Sequence, residues 1–125
     1  MNIFAAAVAL LLAGNGLYML VQPESWYHAV PSVPHTGPLN LHFVRDIGIA
    51  YLASAAGITA GIWRAAWRLP AAIPALIFIG THAALHLVEW GSGHPAAAHE
   101  GWADRIGLYG PAVFLIVWMT VRHGR

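Results

Sequence analysis

The chain has 125 residues, of which 58% are hydrophobic and 9% charged, with a formal net charge of +1 and a mean hydropathy of +0.60. A soluble domain carries nearer a quarter charged residues, so the composition points to a single integral membrane domain over 1–125, solvated by the lipid bilayer. With no Cys, disulfides, iron–sulfur clusters and thiolate metal sites are excluded, and the six basic residues are all Arg and form no tract suited to nucleic acid.

Residues 3–21 are almost uniformly apolar and long enough to cross a bilayer. No basic segment precedes them, so a retained helix is expected rather than a signal peptide. Asn15 is the strongly polar member of this run. Between Gln22 and Leu39, Pro23, Pro31, Pro34, Gly37 and Pro38 predict a loop without regular structure. Trp26 and Tyr27 suit a membrane interface, and His28 and His35 lie in the same loop.

Asn40 is a good N-cap for a second span over 41–63. His42 and Asp46 are one helical turn apart on it, with Arg45 beside them. Their face continues through Ala50, Ala53, Gly57 and Gly61, and Gly57 to Gly61 is a GxxxG pattern. Small residues let helices approach closely, so this polar face is expected to look at another helix. That helix belongs either to the same subunit or to a homodimer partner meeting it through Gly57 and Gly61.

A short connection carries Arg64 and Arg68, and a third span is expected over 70–90. It ends in Thr81-His82-Ala83-Ala84-Leu85-His86-Leu87-Val88-Glu89-Trp90, which puts His82, His86 and Glu89 at i, i+4 and i+7 on one face. A loop with His94 and His99 follows. A fourth span is expected over 102–121, with Asp104 and Arg105 in its first turn and a kink at Gly110-Pro111 that frees a carbonyl near Gly107. All six Trp fall at or near predicted span ends, in keeping with interfacial belts.

The expected fold is therefore all-α, a bundle of four transmembrane helices running antiparallel, up-down-up-down. Arg64, Arg68, Arg122 and Arg125 mark one side. The positive-inside rule places it, with both termini, in the cytoplasm. In a bacterial inner membrane the loops 22–39 and 91–101 then face the periplasm. All five acidic residues and seven of the eight His fall on that outer side. At 1.5 Å per residue, Asp46 lies ~6 Å below His42, and His82 ~6 Å below His86. Asn15, Asp104 and Arg105 share this layer.

Ionisable groups at membrane depth are expensive, so they are functional candidates. The first expectation is a metal site built from His42, Asp46, His82, His86 and Glu89. Arg45, Asn15, Asp104 and Arg105 would surround it, and His35, His94 and His99 are the outer-loop candidates. Imidazole with carboxylate favours Zn or Fe and admits Cu. Such a site would serve a metalloenzyme acting on a lipid-accessible substrate, or metal handling. The logic resembles that of soluble di-iron bundles, but there Glu precedes His in Glu-x-x-His, whereas here His86 precedes Glu89. The alternative is a b-type haem for electron transfer, with His42 facing His82 or His86 as axial ligands. It leaves Asp46 and Glu89 without a role. The third reading is metal-free: a proton relay or acid–base site for an apolar substrate.

Overall fold

The computed structural model describes residues 1–94, 98 and 101–120; the expected ligand His99 and the tail Arg lie outside the described residues. The described chain is helical. Helix α1 (Asn2–Val21) leads into the short α2 (Pro23–Ala29), a 3₁₀ turn (Val33–His35), α3 (Leu41–Trp63) and a second 3₁₀ turn (Ala65–Trp67). Then come α4 (Arg68–Ser92) and a last segment made of α5 (Trp102–Asp104), a π-helical turn (Arg105–Tyr109) and α6 (Gly110–Thr120). The stretches Asn2–Val21, Leu41–Trp63 and Ala65–Ser92 are long and apolar enough to cross a membrane.

Local signals account for the helix ends. Asn40 caps α3, its Oδ1 accepting the Phe43 N–H at 3.1 Å. Gly93, with φ 72°, closes α4 in the left-handed conformation. There the His94 N–H reaches the Glu89 carbonyl and the Gly93 N–H that of Trp90, a Schellman closure. Pro23 does not break the chain as expected of the 22–39 loop. It opens α2, because a first-turn proline gives up no intrahelical bond and its φ is already helical.

The helices pack in sequence, α1 on α3, α3 on α4 and α4 on α6, and a smaller contact between α6 and α1 closes the ring. The interior is lined by many small residues, among them Ala5, Ala9, Ala55, Ala72, Ala75, Ala83 and Ala112. Large apolar side chains such as Ile3, Phe4, Leu10, Ile49, Ile77, Leu87 and Val117 point outward. This inverts the arrangement of a water-soluble core. It is the order expected where lipid solvates the outside and close backbone approach holds the inside.

The closest approach is between α1 and α3. A Cβ on Gly16 would stand 2.6 Å from the Gly48 carbonyl oxygen, and one on Gly48 2.8 Å from that of Gly16. This crossing sets the rotation of α3. Its buried face runs through Val44, Gly48, Tyr51, Ala55 and Ile58. His42 and Asp46, each two residues and about 200° from this face, are exposed. The expectation that the polar face packs on another helix is thus corrected for its outer half. Its inner half does pack, within the subunit. A Cβ on Gly57 would meet the Ala71 carbonyl at 2.5 Å, and one on Gly61 the Trp118 ring at 2.9 Å. Both glycines are used for close approaches within the chain.

The last segment keeps the expected break. Pro111 has no N–H to give to Gly107, and the backbone answers with a π turn in which the Gly110 N–H reaches back to the Arg105 carbonyl.

Candidate functional site

A cavity of about 980 Å³ occupies the end of the molecule opposite the Arg64–Arg68 connection. The halves of α1, α3 and α4 at this end, the start of the last segment, and α2 with its following turn line it. Leu12, Met19, Val44, Phe78 and Leu108 give it apolar walls. His82, His86 and Glu89 all line it, so the i, i+4, i+7 face of α4 is the cavity face.

A chain of ring contacts climbs that face. Tyr51 of α3 stands edge-on to Phe78, with centroids 5.2 Å apart. Phe78 lies 6.0 Å from His82, and His82 5.0 Å from His86. His86 Nδ1 is 3.6 Å from Asp104 Oδ1, and both side chains are deep, at 15% and 8% exposure. Asp104 is the hub. Its Oδ2 accepts the Gly101 N–H at 3.0 Å, the reach-back half of a helix-capping arrangement, which orients the carboxylate. Its Oδ1 accepts the Ser32 hydroxyl at 3.4 Å. A buried carboxylate is tolerable only with such partners, and here α4, the 30–39 loop and the start of α5 each supply one.

Asn15 also lines the cavity, but its role is to hold the roof. Trp26 Nε1–H donates to Asn15 Oδ1 at 2.9 Å, tying α2 down onto α1. The Tyr18 and Ser25 hydroxyls bond at 2.8 Å, and the Tyr27 hydroxyl donates to the Gly37 carbonyl at 2.6 Å. Trp26, expected at a membrane interface, is also part of the site's closure.

The other expected residues go elsewhere. His42 Nε2 is 3.4 Å from Asp46 Oδ2, a pair within α3 at 88% and 52% exposure that does not line the cavity. The structure does not bring this pair to His82 and His86, so the five-ligand set and the haem bridged through His42 are not assembled. The cause is the α3 rotation set by Gly16 and Gly48. Arg45 and Arg105, expected to surround the site, are exposed. Arg45 instead directs its Nε–H to the Leu20 carbonyl at 3.4 Å. Asp46 pairs with His42, and Asp104 with His86. His35 and His94 are exposed and outside the cavity. Among the described residues, no three His, Asp or Glu side chains are placed to share one ion.

Tyr51, Ser32 and Trp26 are site residues that sequence reasoning passed over. Tyr51 had a usable signal, since it lies three residues after Gly48 and shares its face, but that face had first to be recognised as the packed one. Ser32 offered none, because it reaches Asp104 across 72 positions. Comparison with protein-family models, with curated proteins and with solved structures finds no match to this chain, so its role rests on the site's own chemistry.

Proposed function

We propose that the chain is a four-span integral membrane protein whose outer cavity binds one mainly apolar small molecule. His86 and Asp104 exchange a proton with that molecule's polar end. The observation that supports this reading is the make-up of the cavity: imidazole and carboxylate groups gathered on α4 and at Asp104, mainly apolar walls elsewhere. Concave, mostly apolar pockets with a few convergent polar groups are the usual form of a small-molecule site. The carboxylate beside Nδ1 favours the tautomer with its proton there and the lone pair on Nε2. An imidazole so oriented can take a proton from a ligand and return it.

The metal-free reading is preferred to a metal centre because two of the five expected ligands, His42 and Asp46, pair with each other on α3 outside the cavity. Protein purified without chelators and extracted into organic solvent should release one apolar compound in near-stoichiometric amount. An Ala103→Trp variant, which narrows the cavity from its wall, should release much less. Equal recovery of bulk lipid from both, with nothing enriched, would reject the pocket. Stoichiometric zinc or iron that is lost in His86→Ala would reinstate the metal.

In this reading the segment 102–120 is the fourth span and both termini lie with Arg64 and Arg68 in the cytoplasm. The cavity then opens towards the periplasm of a bacterial inner membrane. A phosphatase reporter fused after Arg125 should be inactive and a cytoplasmic fluorescent reporter bright; the reverse pattern would overturn the orientation.

A further inference from the structure

We propose that the cavity's ligand is a lipophilic organic cation, a hydrophobic amine carried as its ammonium form. This rests on the small-molecule reading above and names the chemical class that the site selects. The first ground is charge. Glu89 and Asp104 line the cavity, and among the described residues no Arg does; the chain has no Lys. With both imidazoles neutral the four groups sum to −2, and protonation of His86 still leaves −1. In surroundings of low dielectric an anionic head group would meet unscreened repulsion, while a cation would meet the missing countercharge.

The second ground is the walls. Trp26, Tyr51, Phe78 and Trp102 all line the space, and aromatic faces attract cations most strongly where water is scarce. The chain uses the same chemistry at its other end with cations of its own. The Arg64 guanidinium lies 4.8 Å from the Trp67 ring centroid and that of Arg68 5.3 Å from Trp118. The outer cavity has the aromatic surfaces and the carboxylates but, among the described residues, no arginine lining it. A hydrophobic ammonium supplies the charge, fits the apolar volume, and carries an N–H proton that His86 or Asp104 can accept.

The test uses two ions of nearly the same size and shape and opposite charge, tetraphenylphosphonium and tetraphenylborate, with triphenylphosphine oxide as a neutral probe. Binding is measured calorimetrically to the full chain in nanodiscs of zwitterionic lipid, with empty nanodiscs as the blank. Saturable binding of the phosphonium, at least about tenfold tighter than that of the borate, is expected. Glu89→Gln should weaken the phosphonium by about tenfold and leave the neutral probe unchanged. Borate binding as tight as phosphonium would overturn the cation while leaving the pocket standing. So would phosphonium binding unaffected by Glu89→Gln, or the neutral probe alone binding. Absence of binding by all three probes would overturn the pocket reading as well.

Discussion

Gly16→Ala should destabilise the protein severely, while Gly14→Ala, two residues away on the same helix, should leave it unchanged or slightly more stable. A Cβ at 16 would lie 2.6 Å from a backbone oxygen of α3 and 3.0 Å from the Tyr51 Cβ, whereas one at 14 meets nothing within 4 Å. Backbone cannot swing aside as a long side chain can, so α1 and α3 must separate along the crossing. Overpacking of this kind costs about 1–3 kcal/mol, and more when the whole interface has to open. At position 14 the exchange removes only glycine's helix penalty, a gain of about 0.5–1 kcal/mol. Thermal unfolding in mild detergent reads both. Equal melting temperatures for the two variants would show that the glycine crossing does not hold the helices together.

Removing Asp104 should have the second large effect, and its contrast is Asp46. Asp104→Ala deprives the Gly101 N–H, the Ser32 hydroxyl and His86 of a shared acceptor in a buried place. Breaking a buried pair on one side costs about 3–5 kcal/mol, because the groups left behind keep their desolvation penalty. Asp46→Ala removes the carboxylate of an exposed i,i+4 pair, worth about 0–1 kcal/mol. Asp104→Asn separates structure from chemistry: the amide oxygen can still accept a hydrogen bond, but the charge beside His86 is gone. That variant should stay folded and release its ligand's proton poorly. Similar losses of thermal stability for Asp46→Ala and Asp104→Ala would contradict the burial difference on which the site depends.

These contrasts mark what could be read along the chain and what could not. Helix extents were legible because they depend on local quantities. Expected spans of 3–21, 41–63 and 70–90 compare with Asn2–Val21, Leu41–Trp63 and Arg68–Ser92. Hydropathy, the Asn40 cap and the glycine at 93 lie within a few residues of the ends they determine. The α4 half of the site was legible for the same reason, since His82, His86 and Glu89 define one face without reference to any partner. The rotation of α3 was not. Two of its faces carry small residues, one through Ala53, Gly57 and Gly61 and one through Gly48 and Ala55, and either could have met a neighbouring helix. The choice is made by Gly16, in another helix, whose partner no local pattern names. His42 and Asp46 followed the wrong face and were placed in the site; Tyr51 was left out of it by the same error. Asp104 was placed around the site rather than at its hub, because its bond to Ser32 joins segments that are remote in sequence.

The π turn at Arg105–Tyr109 also bears on how this chain can change its length. Its bonding ring holds one residue more than an α turn, i to i+5 in place of i to i+4. The extra residue is absorbed locally, so Asp104 above and Leu115 and Trp118 below keep the facings they would have in an unbroken α-helix one residue shorter. Deleting a single residue within 105–109 can therefore leave both ends in place. Restoring an α ladder without a deletion, as Pro111→Ala permits, would instead turn Asp104 by about 100° relative to Trp118 and carry it away from His86. A one-residue gap is the milder change here, and a point substitution the more disruptive one.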